Sequence, residues 1–204
     1  IDGTSYTVRV ANNTTPDECN GTDFSQTACG FVVEFVDVVE LRDMNPSGTY
    51  NGVQYDWGWN KDGWPATAMR TYANGDFYNK LPEELRNVIA DTKVISGHGS
   101  TSGETSFTST DKLYLLSPHE VWEEDADNTA WNNTRQLDYY ANLGVTTNNY
   151  SSAIKQYNGS NFHWWLRAAI SYGDSDFLIV GSSGGWRYSY AIYSNGFAPA
   201  FRIG

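Results

Sequence analysis

The chain has 204 residues, 40% of them apolar and 15% aromatic, with 18% charged and a formal net charge of −11. This is a globular composition, long enough to bury one sizeable core, and it predicts a single domain over residues 1–204 rather than disorder. The acidic balance and scattered Lys and Arg oppose binding to a phosphate backbone, and no apolar run approaches the roughly 18 to 20 residues that cross a bilayer, so neither nucleic acid nor direct membrane insertion is expected.

From the N-terminus, "TSYTVRVA" alternates apolar and polar residues and predicts a strand. No charged and apolar leader precedes it, so any signal peptide or anchor is expected outside this sequence. Cys19 and Cys29, the only cysteines, flank the loop-like "NGTDFSQTA". In an extracellular protein they form a disulfide; the alternative is two free thiols, since the spacing matches no common metal motif. With few lysines and many Asn and Tyr residues, they suggest a protein exported to the exterior or surface of a bacterium. "GFVVEFVDVVEL" predicts one long central strand.

After the turn formers of "RDMNPSGTYNG" the pattern changes to helix. Pro65 and Thr67 open a helix bearing Met69, Tyr72, Phe77 and Tyr78, with an interruption expected at Asn74-Gly75. Pro82, Glu83 and Glu84 start a second, with Leu85, Val88 and Ile89 on one apolar face. Residues 97–110 read as a polar loop, "DKLYLLS" as a strand, and "TRQLDYYANLG" as a short helix ended by Gly144. From Phe162 onward, "FHWWLRAA", "DFLIV", "WRYSYAIY" and "FAPAFRI" are β-like runs between Ser/Gly turns, and strands at both ends around central helices predict an α+β fold.

Four features invite a chemical reading. Ser183, in "GSSGG", fits the G-x-S-x-G nucleophile pattern, but a strand-like run follows where a helix is needed, and no His occurs after His163; a hairpin turn is the expectation. His98, His119 and His163 lack partners at a recognisable spacing and read as structural. Glu120, Glu123, Glu124, Asp125 and Asp127 offer hard oxygen ligands for calcium but lack the spacing of a calcium loop, so a solvated acidic segment is expected, with no cofactor and no metal. The fourth feature is the tail itself: no Lys, Glu, Gln or Met lies beyond Gln156. Tyr, Ser and Gly, with Arg and Trp, are instead the chemistry of binding loops, where large amphipathic rings lose few torsions and small residues let the backbone adapt. Strict alternation in "WRYSYAIY" puts Trp186, Tyr188, Tyr190 and Ile192 on one face and Arg187, Ser189, Ala191 and Tyr193 on the other. Neither face is cleanly apolar, so a bulge or loop is expected there.

The stretch "WWLRAAISYGDSDFLIVGSSGGWRYSYAIYSNGFAPAFRIG" resembles the C-terminal end of the C-type-lectin-fold variable proteins diversified by bacterial retroelements. The resemblance is carried by Trp164, Trp165, Leu166 and Arg167, by Phe177, Val180, Gly184 and Trp186, and by Gly196 with "PAFRIG". It extends to "SQTACGFVVEFVDV", "GWNKDGWPATAMRTYANGDFYN", "SGHGSTS", "STDKLYLLSPHEVW" and "TRQLDYY". It implies a C-type lectin fold of small twisted antiparallel sheets with two or more helices, in which the terminal strands "TSYTVRV" and "FAPAFRI" pair. It also implies diversification at adenines of Asn-type codons, which yields Tyr, Ser, Ile, Asp, Arg, Leu, Ala or Gly but never Lys, Glu, Gln, Met or Trp. Trp164, Trp165 and Trp186 are then scaffold. Carried over by position, residues 168–198 become the displayed region, and Ile170, Tyr172, Asp174, Asp176, Leu178, Ile179, Arg187, Tyr188, Tyr190, Ile192 and Tyr193 its ligand-binding surface. Ala168, Phe197 and Ala198 depart from the family pattern.

The implied function is non-catalytic binding of a protein or other surface ligand. The alternative is a fixed-specificity module of the same fold that binds a glycan or cell-wall component with calcium. An enzymatic role, by analogy with formylglycine-generating enzymes of this fold, is disfavoured because those act through C-terminal cysteines, whereas both cysteines here lie in the first thirty residues.

Overall fold

A computed structural model of the chain describes residues 1–122 and 133–204. The first strand, β1 (Val8–Asn12), pairs antiparallel with β2 (Val32–Phe35), and the loop between them is closed by a disulfide joining Cys19 and Cys29. All four residues of β2 are buried. The β-branched run expected as one long strand breaks after Phe35 and resumes as β3 (Glu40–Arg42) in a different sheet. Its backbone is held across the gap by Val38 N donating to the Gln156 carbonyl at 3.0 Å and Val39 N to that of Phe197 at 2.9 Å. Periodicity alone cannot see such a crossing, because both halves are equally apolar.

A tight hairpin, β4 (Gly48–Tyr50) and β5 (Val53–Tyr55), turns through Asn51 and Gly52, both at positive φ, the pairing that two-residue hairpin turns favour. The helical region opens at α1 (Ala68–Tyr72), where the Thr67 hydroxyl accepts from Arg70 N. At Asn74-Gly75 the expected interruption does not occur. The chain passes through one wide π turn (Ala73–Phe77) into α2 (Tyr78–Lys80), and the Asn74 side chain uses the opening to bond Lys112 N, Leu113 N and the Leu113 carbonyl. The second expected helix shrinks to α3 (Glu83–Arg86): Ile89 leaves it for a bridge with Ile203, and Val88 is exposed.

Of the polar stretch expected as a loop, residues 98–105 are the connection of a hairpin, while Gly97 and residues 106–110 belong to its strands, β6 (Thr92–Gly97) and β7 (Ser106–Asp111). Of "DKLYLLS", Asp111 ends β7, and residues 113–117 are buried and form one bridge, Tyr114 to Ala200. Helix α4 (Pro118–Val121) begins in a capping box of Ser117 and Glu120, and α5 (Asp138–Asn142) is followed by Gly144 at positive φ. Then come β8 (Lys155–Tyr157), β9 (Ser160–Phe162), β10 (Trp164–Ala169), β11 (Asp176–Val180), β12 (Trp186–Tyr190), β13 (Asn195–Phe197) and β14 (Ala200–Arg202).

The result is a mixed α/β fold of several small sheets and short helices. One sheet has the order β1-β2-β14, the other β12-β11-β10-β13-β3, and both are antiparallel except for the β10–β13 pair. The terminal strands do not pair with each other as expected: β1 and β14 lie on opposite sides of β2. In the larger sheet β10 is central and wholly buried, so its long apolar run reads as a strand covered on both faces. Both of its indoles are satisfied, Trp164 by the Ala153 carbonyl at 3.0 Å and Trp165 by that of Arg42 at 2.7 Å.

Candidate functional site

Strand β12 lies at the edge of the larger sheet, two strands out from β10. Its ladder with β11 is regular over five pairs, from Asp176 opposite Tyr190 to Val180 opposite Trp186. The "GSSGG" segment is the hairpin turn between them, closed by Gly181 N on the Gly185 carbonyl at 2.7 Å and Gly184 N on that of Gly181 at 2.8 Å. Ser183 therefore precedes a strand, without the strand–turn–helix setting of a nucleophile elbow. Gly184 sits at φ +95°, and a Cβ there would run into the Tyr150 carbonyl oxygen.

On this hairpin and its flanking loops, Tyr172 is 64% exposed, Tyr188 57%, Tyr193 49% and Tyr190 41%; Arg187 and Asp174 are also exposed, while Asp176 and Ile192 are half-buried. Ile170, Leu178 and Ile179 are not on the surface. All three are buried, which corrects their expected water-facing placement. The cause is the position of β11: as the second strand from the edge it is covered on both faces, so alternation puts both Leu178 and Ile179 in the core. Ile170 ends β10's buried run and donates its N–H to the Asp176 carbonyl at 3.1 Å, closing the loop that carries Tyr172 and Asp174.

The structure adds a residue from far upstream. Trp57 is 51% exposed and lies against Tyr190, ring centroids 5.2 Å apart; Tyr190 in turn contacts Tyr193 at 5.8 Å. The backbone around Trp57 straps both tail loops. The Trp57 carbonyl accepts from Ile192 N at 3.2 Å, and Asn60 N donates to the Asp174 carbonyl at 2.8 Å. The Asn60 amide donates to the carbonyls of Ile170, Gly173 and Asp176, at 2.8, 2.8 and 3.0 Å. Gly58 at φ +76° permits this approach, since a Cβ would come within 2.8 Å of the Ala191 Cβ. Nothing in the tail's composition points to Trp57; the upstream signal is the "WGWN" stretch, two indoles around a glycine just before the helical pattern begins.

Burial, and after it the neighbouring Asp174 carboxylate, pushes the Asp176 carboxyl above its ordinary value. Beside this pair an open hollow of about 400 Å³ is lined by Ser100, Ser171, Tyr172, Gly173 and Asp174. Exposed rings and two carboxylates on a fixed backbone, with the Arg187 guanidinium on the opposite face of the ladder from Asp176, offer groups suited to recognition through stacking and charge-assisted hydrogen bonds.

The other chemical candidates lie elsewhere. His98 Nδ1 pairs with the Thr101 carbonyl at 2.8 Å in the β6–β7 turn, His119 is in α4, and His163 separates β9 from β10. Of the acidic run, Glu120 is fully buried against Arg167, and Glu123, Glu124, Asp125 and Asp127 lie outside the described residues. Among the described residues no three His, Cys, Asp or Glu side chains are grouped to hold a metal ion, and no helix is long and apolar enough to cross a membrane.

No curated protein and no solved structure matches the chain. Residues 39–204 match the family described as Domain of unknown function (DUF6273), a span that holds Trp57, Asn60 and every expected residue of the tail surface. The chain therefore belongs to the DUF6273 family.

Proposed function

We propose that this protein is a non-catalytic ligand-binding domain of C-type lectin type, exported to the surface or surroundings of a bacterium, whose C-terminal face is diversified by a retroelement. The observation that carries the proposal is a division of labour within one stretch of chain. Tyr172, Asp174, Arg187, Tyr188, Tyr190 and Tyr193 face water, and all are residue types that Asn-type template codons can yield. Trp164, Trp165 and Arg167, which such codons or their packing would not allow to vary freely, are fully buried. Side chains on a rigid frame can change without unfolding it, because surface substitutions away from special features are nearly neutral, within about 0.5 kcal/mol. The Cys19–Cys29 disulfide supports an oxidising compartment. The ligand is a protein or another surface molecule rather than nucleic acid, consistent with the charge of −11.

Sequencing the gene across related strains tests this reading. Substitutions should concentrate at codons 172, 174, 176, 187, 188, 190, 192 and 193, with Ile170, Leu178 and Ile179 changing only among apolar types. Differences scattered evenly over residues 1–204 would remove diversification and leave a module of fixed specificity.

A further inference from the structure

We propose that Trp57, Tyr190 and Tyr193, with Asp174 and Asp176 beside them, receive an arginine-bearing segment of a partner protein. This rests on the ligand-binding reading above and names the chemistry its site selects. The three rings form a continuous exposed platform, Trp57 on Tyr190 at 5.2 Å and Tyr190 on Tyr193 at 5.8 Å. Asp176 is the direct cross-strand partner of Tyr190, so the carboxylate and the ring leave the sheet on the same face.

Charge complementarity decides the occupant. Neither Asp174 nor Asp176 forms an ion pair among the described residues, and Asp56, next to Trp57, is exposed. Arg187, the nearby cation in the tail, is opposite Ile179 and so lies on the other face of the ladder from Asp176 and Tyr190, with its Nη1 turned to the Trp186 carbonyl at 2.9 Å. The patch is thus aromatic and acidic, in a chain already at −11. A guanidinium satisfies both halves at once: its plane stacks on indole and phenol faces while its N–H fork pairs with a carboxylate. A cation there also relieves the repulsion between Asp174 and Asp176, which helps to keep the Asp176 carboxyl above its ordinary range. A half-buried carboxylate with no ion pair among the described residues, beside a second carboxylate, is the setting expected of a binding residue.

The test titrates the isotope-labelled full chain with an acetylated, amidated tetra-arginine peptide at low salt, followed by nuclear magnetic resonance, with tetraglutamate as the opposite-charge probe. The Trp57 indole signal and the amides of residues 172–176 and 190–193 should move with tetra-arginine alone. Trp57→Ala and Asp176→Asn should each weaken binding about fivefold or more, the scale of one cation–π contact or one carboxylate contact. Trp57→Phe should retain most of it, which keeps the test decisive if the alanine variant misfolds. Glu84→Gln, which removes the same charge from exposed α3, should change nothing. The proposal is overturned if tetra-arginine leaves these signals still, if tetraglutamate moves them equally, or if Glu84→Gln weakens binding as much as Asp176→Asn. Strain sequencing is read independently: a variable tail with an inert Trp57 sinks only the arginine site, and an invariant tail with a working site sinks only diversification.

Discussion

Arg167 makes five hydrogen bonds, using every donor of its guanidinium inside the protein. Nε donates to the Ile95 carbonyl at 3.1 Å, Nη1 to the Leu115 carbonyl at 2.9 Å and Glu120 Oε2 at 2.7 Å, and Nη2 to Thr27 Oγ1 at 3.2 Å and Glu120 Oε1 at 2.7 Å. Glu120 is equally well met, by the Thr27 and Thr134 hydroxyls and by Ser117 N. Two fully buried opposite charges are tolerable only because both are saturated in this way. Arg167→Met leaves Glu120 buried without its counter-ion and should cost about 3 to 5 kcal/mol in urea unfolding. Lys at the same position keeps the charge but loses the planar fork and should be destabilising too. By contrast Tyr188→Ala, twenty-one positions on in the same tail, should stay within about 0.5 kcal/mol of the parent. Comparable losses at both positions would erase the distinction between frame and display on which the proposed function rests.

Among the elements, the β11–β12 hairpin governs how the surface is presented. Its turn depends on Gly184, whose positive φ and contact with the Tyr150 backbone leave no room for a side chain. Gly184→Ala should destabilise by at least about 1 to 3 kcal/mol, with amide-exchange protection falling first in residues 176–190; unchanged protection there would show that the turn can shift away from Tyr150 at little cost. The two strands of this hairpin were legible in the sequence, because β-branched and aromatic runs alternate there with Ser/Gly turns, whereas "FAPAFRI", expected as one run, divides at Ala198 and Pro199 into β13 of the larger sheet and β14 of the smaller. Elsewhere the local signal misleads for identifiable reasons. β7 carries Ser106, Thr108, Ser109 and Thr110, so its ladder is hidden in a polar stretch; residues 82–89 have a helical apolar face but spend Ile89 on a bridge to Ile203. The site was half legible. Composition singles out the exposed tyrosines, but Leu178 and Ile179 look no different from surface residues until β11 is known to be covered on both faces. Trp57 joins the tail only through tertiary contacts that no spacing encodes.

At the scale of the molecule, the family match begins at Val39, yet the fold cannot be completed from there. β14, at the C-terminal end of the matched span, pairs with β2, which lies before it, and β2 is the middle strand of its sheet. The strand also carries Glu34, fully buried, whose carboxylate accepts from Arg9 Nε at 2.8 Å in β1, from Lys155 Nζ at 2.8 Å in β8 and from the Tyr140 hydroxyl at 3.1 Å in α5. One carboxylate thus ties the N-terminal strands β1 and β2 to two elements of the matched span, α5 and β8. Burial by itself would raise its pKa, but the Lys155 ammonium and Arg9 guanidinium overcome that and hold it below the ordinary 4.5. A carboxyl lowered in the folded state contributes stability that is fully present above its unfolded value and is lost as the pH falls through its folded value. Glu34→Gln removes the charge and leaves Lys155 buried without a counter-ion, against the carbonyls of Phe35 and Val36 and the ring of Trp164. The variant should therefore be less stable than the parent by about 3 to 5 kcal/mol at neutral pH, with a gap that stays constant down to about pH 5 and narrows only below it. Chemical denaturation of both proteins across that range provides the check. A gap that instead widened on acidification would mean that the carboxyl is protonated in the native protein, and that hydrogen bonding rather than charge holds the N-terminal strands to the body of the domain.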